Sequence, residues 1–171
     1  MDARLQKRLQ RSGWDRAASH YELMWRVPLA NLHQRTLDYA APLPGDRVLD
    51  VACGTGVVAL AAAQAVGPSG LVVGADISPE MIRVARDTAR GRGATNAAFF
   101  TMEASSLDFP DRSFDVVTCA LGLMYFPDPY AALREIHRVL RPGGRAVFSL
   151  WGERSACGWS PIFEIVDAEV K

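Results

Sequence analysis

The chain has 171 residues, the length of one domain with a single core of ordinary size. Nineteen Lys and Arg balance nineteen Asp and Glu, and no stretch gathers five like charges. That argues against an electrostatic footprint for nucleic acid or anionic lipid and favours a small, roughly neutral substrate.

The three cysteines, Cys53, Cys119 and Cys157, are odd in number and far apart, which fits neither a disulfide framework nor a paired-cysteine zinc site. A reducing cytoplasm is the expected home. Met1 to Arg11 is charged throughout without an apolar leader core, and no apolar run approaches the roughly 20 residues a membrane span needs.

Trp14 to Tyr39 carries aromatic and apolar residues at helical spacing and reads as one or two helices beside a core. The proline-bounded segment Ala41 to Asp46 separates it from the first strand, so residues 1–45 are expected to form a helical lid and 46–171 the core.

From Arg47 onward, short Val, Ile and Phe-rich runs alternate with alanine-rich or charged stretches of helical period, the pattern of an α/β fold with a parallel sheet. The predicted strands are Arg47 to Ala52, Leu71 to Asp76, Ala97 to Met102, Phe114 to Cys119 and Arg145 to Leu150, each reading as buried on both faces. The helix Gly56 to Val66 stops at Gly67-Pro68. The next has Ser78 as N-cap, Pro79 and Glu80 in its first turn, and a stop near Gly91 or Gly93. A third, Pro129 to Leu140, comes after Asp128 and ends at Arg141-Pro142-Gly143-Gly144.

The strongest chemical signal is Val48-Leu49-Asp50-Val51-Ala52-Cys53-Gly54-Thr55-Gly56, a buried strand turning through two glycines into a helix. The glycines permit unusual dihedrals and close ligand approach, and the helix start offers free N–H groups to an anionic group. Gly54-x-Gly56-x-x-Ala59 also satisfies a dinucleotide fingerprint, with Asp76 placed to accept both hydroxyls of a ribose. Asp50 separates the two readings. A carboxylate just ahead of the loop repels a pyrophosphate but attracts an ammonium, and S-adenosylmethionine carries an ammonium, a carboxylate, a ribose and an adenine in one molecule.

Val48 to Gly56 resembles motif I of the class I S-adenosylmethionine-dependent methyltransferases. The resemblance continues in order through Gly74 to Met81, through Glu103-Ala104 with Leu107 to Val117, and through Leu140 to Gly144, and is closest to the ubiquinone and menaquinone C-methyltransferase subgroup. It implies a Rossmann-like doubly wound sheet of order 3-2-1-4-5. It also implies that Ala52, Cys53 and Gly54 hold the methionine part, Asp76 the ribose, and Ile77 and Met81 the adenine face. Glu103 and Ala104 would lie at the adenine edge, and Ala120 on the sulfonium side. The family more often has Asp where Glu103 stands.

Several readings stay open beside these. Met81 also reads as core, Glu103 as a solvated carboxylate, and Tyr21, with Trp14 and Trp25, as either a cover over the cofactor or packing. Cys53 answers the need for a small residue in a tight turn better than that for a nucleophile. His137 reads as a surface residue, and Arg134, Arg138, Arg141 and Arg145 as a solvated helix face. No catalytic residue and no metal ligand is assigned, because methyl transfer to carbon or oxygen rests on positioning and desolvation. A nicotinamide oxidoreductase and a non-catalytic S-adenosylmethionine-binding fragment remain the alternatives. The family adds a final antiparallel hairpin to complete seven strands. Only Trp151 to Lys171 remains here, with a helix expected over Trp159 to Val170, so the chain reads as truncated, or as a homo-oligomer covering the exposed edge of the fifth strand.

Overall fold

The computed structural model describes residues 2–153. In chain order these form α1 (Ala3–Trp25), α2 (Ala30–Ala40), β1 (Arg47–Val51), α3 (Val57–Val66), β2 (Leu71–Asp76), α4 (Pro79–Gly91), β3 (Ala97–Thr101), β4 (Phe114–Ala120), a 3-10 turn (Leu123–Tyr125), α5 (Pro129–Val139) and β5 (Leu140–Ser149). The five strands make one parallel sheet in the order β3-β2-β1-β4-β5, the order expected from the sequence. Chain direction across the sheet reverses between β1 and β4, and a doubly wound sheet opens its ligand crevice at that point.

Alternation along the strands supplies two cores. Val48, Val72 and Val116 face α2, α3 and α4, whereas Leu49, Val73 and Val117 face α5 and the segment carrying Leu107. With both faces covered, β1, β2 and β4 need an almost continuous apolar run, which is why they were readable in the sequence, whereas the edge strands β3 and β5 are only partly buried, against the expectation that every strand is buried on both faces. The caps form as expected: Ser78 accepts from the Met81 N–H at 3.1 Å and Asp128 from the Ala131 N–H at 2.9 Å. Caps of this kind stabilise a helix by about 1 kcal/mol each.

Three further expectations need correction. The first helix starts at Ala3, well before Trp14, capped by Asp2, which accepts from the Arg4 N–H. Arg, Gln, Lys and Leu all favour helix, and the apolar periodicity used to place the start was silent because Leu5 and Leu9 point to solvent.

The fifth strand starts at Leu140 instead of after a turn at residues 141–144. Leu140 pairs with Phe114 and Arg145 with Val116, so five residues of β5 pass against two of β4 and the excess forms a bulge, with Gly143 at φ 80°.

Arg134 is exposed, as expected, but Arg138, Arg141 and Arg145 are not a solvated face. Arg138 donates to the Leu107 and Phe109 carbonyls, both at 2.7 Å, and pairs with Glu135 and Asp111 at 2.8 Å. Arg141 pairs with Asp115, and Arg145 donates to the carbonyls of Ala40 and Ala41. These groups tie loops to the sheet, a pairing that helical periodicity does not encode. His137 is exposed, as expected.

Among the described residues no helix is long and apolar enough to cross a membrane. Cys53 and Cys119 are free and buried. Cys157 and the helix expected over Trp159 to Val170 lie outside the described residues.

Candidate functional site

The chain turns sharply after β1 because three residues take left-handed backbone: Ala52 at φ 57°, Gly54 at 52° and Gly56 at 85°. The two glycines have different reasons to be there. A Cβ on Gly54 would meet nothing within 4 Å, and Gly54 borders a cleft, so its bare backbone leaves room for a ligand. A Cβ on Gly56 would lie 2.9 Å from the Phe99 ring and 3.1 Å from Ala85, so that glycine serves packing of the loop on β3 and α4. Leu121, at the end of β4, is also left-handed at φ 57°. Non-glycine backbone of this kind persists only where its surroundings enforce it, and both Ala52 and Leu121 border the cleft.

The cleft lies over the carboxyl ends of β1, β2 and β4 beneath α1 and encloses about 530 Å³, inside the roughly 300–1,000 Å³ range of small-molecule sites. Asp76 sits in its wall, 7% exposed. One carboxylate oxygen accepts from the Gly54 N–H at 2.8 Å and the other from the Ser78 N–H at 2.9 Å. Burial pushes its carboxyl above the ordinary range, while these donors pull the other way. Each oxygen keeps lone-pair capacity for a further donor such as a ribose hydroxyl.

Asp50 stands deeper, 1% exposed and opposite Thr118 in the β1–β4 register. Its Oδ1 accepts from the Thr118 hydroxyl at 2.7 Å, whereas Oδ2 has no hydrogen-bond partner among the described residues. Burial pushes its carboxyl up to about 7, opposed by the Thr118 hydrogen bond. An orphaned carboxylate oxygen just behind the Gly54 turn marks a place where a nearby cation would be stabilising.

Of the residues singled out in the sequence, Ala52, Gly54, Asp76, Ile77 and Met81 border the cleft from β1, β2 and α4. Glu103, Ala104 and Ala120 border it from the segments after β3 and at the end of β4, and Tyr21 closes it from α1. Asp50, Cys53 and Gly56 are not in the wall. The Cys53 thiol is buried against the core around Phe99, and burial raises it well above its ordinary range, which leaves it a packing group. His20 and His33 do not border the cleft either.

Sequence reasoning missed the polar contacts that seat α1 on the site. Lys7 pairs with Glu103 at 2.5 Å, Asp15 accepts from the Ser78 hydroxyl at 2.6 Å, and Glu22 accepts from the Thr55 hydroxyl. All three lie on the inner side of one helix, a relationship visible only once the helix is known to begin at Ala3. On the same side, Trp14 packs edge to face on Tyr21 and Tyr125, with centroids 6.1 and 5.4 Å apart. The Tyr21 hydroxyl is pushed up to about 12, first by burial and then by Tyr125, Glu22 and Asp76, so it stays protonated at neutral pH.

A doubly wound sheet with a glycine turn, a strand-two acid and a covered cleft defines a nucleoside-binding Rossmann-like domain. Residues 48–144 match the family described as a methyltransferase domain, and the chain belongs to that family. It is 44% identical over 133 residues to the ubiquinone/menaquinone biosynthesis C-methyltransferase UbiE of Ectopseudomonas mendocina, covering 75% of this chain and 52% of that protein. It is 37% identical over 136 residues to the aklanonic acid methyltransferase DauC of a Streptomyces species, covering 80% of this chain and 62% of that one. Among solved structures the cyclase SpnF aligns with a TM-score of 0.63 at 35% identity, over 68% of this chain and 42% of that chain. The chain thus spans only about half to three fifths of the length of these curated relatives.

Proposed function

We propose that this chain is the cofactor-binding part of an S-adenosylmethionine-dependent methyltransferase, acting on carbon or oxygen of a small or lipid-like acceptor. The observation that carries the reading is Asp76, held in the cleft wall by two backbone N–H donors beside the open face of Gly54. The residues fit the cofactor's parts: Asp76 for the ribose hydroxyls, Ile77, Met81 and Ala104 for the adenine, and Ala52 and Gly54 for the methionine portion. Asp50 is the charge partner for an ammonium, acting from behind the turn, and Glu103 divides its carboxylate between Lys7 and the adenine edge.

When bound, the cofactor supplies an electrophilic methyl group on a sulfonium. The chain's own part is to position and to exclude water. Trp14, Tyr21 and Tyr125 close the cleft with aromatic surface, and residues 1–45 act as its lid. Trp25, Phe126 and Trp151 add further apolar wall, which suits a flat, poorly hydrated acceptor. The names of the quinone and aklanonic acid methyltransferase relatives agree with an acceptor of that kind. Tyr21 keeps its proton at neutral pH and acts as a wall and hydrogen-bond donor, so no general base is assigned.

Titrating the full chain with S-adenosylhomocysteine, S-adenosylmethionine and NADH by calorimetry tests the reading. Binding of the first two is expected, and binding of NADH alone would overturn it in favour of an oxidoreductase.

A further inference from the structure

The balanced charge of the whole chain conceals a local asymmetry on α1, which is about 35 Å long for its 23 residues. Its inner side carries Lys7, Asp15 and Glu22, all engaged with the core. The two acids that would offset the basic residues of this helix are therefore turned inward. Arg8, Arg16 and, just past the end, Arg26 are exposed away from the cleft, and none forms an ion pair with a described residue, whereas Arg4 and Arg11 fall on the cleft side of the helix, Arg4 in the cleft wall itself. Only Asp2 opposes them on the exposed side.

Among these cations stand large apolar side chains facing water. Leu5 and Leu9 lie one turn apart, and Leu23 and Val27 repeat the arrangement at the far end, Leu23 being 86% and Val27 83% exposed. At 3.6 residues per turn, Leu5, Leu9, Arg16 and Leu23 share the side opposite the cleft. Exposing such residues in water is unfavourable, and an apolar pair near each end with Arg8 and Arg16 between them has the composition of a helix that lies in a lipid interface.

We propose that the outer face of α1 docks on an anionic lipid bilayer. The apolar side chains enter the headgroup boundary, and the arginines pair with lipid phosphates. A second copy of the chain is a poor occupant, since a two-fold contact would bring two cationic faces together. A nucleic acid would meet the arginines but offers no apolar layer to Leu23 and Val27. Because the inner side of the same helix roofs the cleft, docking places the cleft beside the lipid surface, where a lipid-like acceptor could enter without crossing water. The docking itself does not depend on which cofactor the cleft holds.

The test is flotation of the full chain with vesicles of phosphatidylcholine alone and of phosphatidylcholine with phosphatidylglycerol in equal parts. Binding to the second and little to the first is expected, weakening as salt is added. Replacing both Arg8 and Arg16 by Gln should lower affinity about 25-fold, roughly fivefold for each charge. Replacing both Leu9 and Leu23 by Asn should lower it on the same vesicles, with circular dichroism and S-adenosylhomocysteine binding unchanged in both variants. The proposal is overturned by absence of vesicle binding, by equal binding to both vesicle types, by indifference to either substitution, or by tighter binding to duplex DNA or to itself in sedimentation. Retained S-adenosylhomocysteine binding alongside failed flotation would sink the docking alone. Lost cofactor binding with intact flotation would sink the cofactor reading alone.

Discussion

The Gly54 N–H donates to the carboxylate of Asp76 at 2.8 Å, joining the turn after β1 to the end of β2 at the mouth of the cleft. Removing that acceptor in Asp76→Ala leaves the Gly54 and Ser78 N–H groups without it and removes the proposed ribose contact. Affinity for S-adenosylhomocysteine should fall by about 1–3 kcal/mol, and stability by a similar amount. Asp76→Asn, which keeps an acceptor oxygen, should lose affinity with a smaller loss of stability. Calorimetry and thermal unfolding separate the two, and an unchanged affinity in Asp76→Ala removes the ribose assignment.

Asp50 makes stability depend on pH. Its folded carboxyl, near 7, lies above the ordinary value of 3.8, so the folded state holds the proton more tightly. Its contribution is fully present below pH 3.8 and is lost as pH rises through about 7, with a slope of at most about 1.4 kcal/mol per pH unit. Asp50→Asn removes this titration, so its stability should decline less than that of the wild type between pH 4 and 7. Parallel urea-denaturation profiles for the two proteins across that range would show that Asp50 does not titrate there.

The seating of α1 rests partly on Asp15, which accepts from the Ser78 hydroxyl at 2.6 Å and the Glu80 N–H at 3.4 Å. Asp15→Ala should weaken docking of the helix by about 1 kcal/mol. Amide exchange should then speed up several-fold in α1 while the strands stay protected. Uniform acceleration through the whole molecule would mean that α1 does not open separately.

Close packing behind the cofactor turn predicts a contrast between two glycines. A Cβ on Gly74 would lie 2.5 Å from the Phe99 ring and 2.9 Å from the Cys53 sulfur. Phe99 has little freedom to retreat, because it is already packed against Gly56. Gly74→Ala should therefore cost about 1–3 kcal/mol. Gly91, with open space around it and no left-handed backbone, should accept Ala at no cost or with a slight gain. Urea midpoints give both values, and equal midpoints would contradict the packing.

The strands and the glycine turn beside the cleft were legible because buried parallel strands demand continuous apolar residues and because the Gly54 turn and Asp76 succeed one another at fixed spacing. What escaped was contact between distant parts of the chain. Nothing in Lys7, Asp15 or Glu22 announces a partner ninety-six, sixty-three or thirty-three residues away. Nothing in Arg138 announces that it will bind the carbonyls of Leu107 and Phe109.

Sequence by itself was sufficient for the fold class and the residues around the turn, because periodicity and backbone preference are local properties, while the strand order came from the resemblance of the ordered motifs to a known family. It could not leave Gly54 open to the cleft and close Gly56 against Phe99, turn the acids of α1 inward, or leave Oδ2 of Asp50 without a partner among the described residues. Those outcomes depend on which surfaces meet when the helices close on the sheet. The overall charge balance was likewise read correctly as a sum, but folding separates its terms in space: the acids of the first helix are spent against the core and its arginines remain in water.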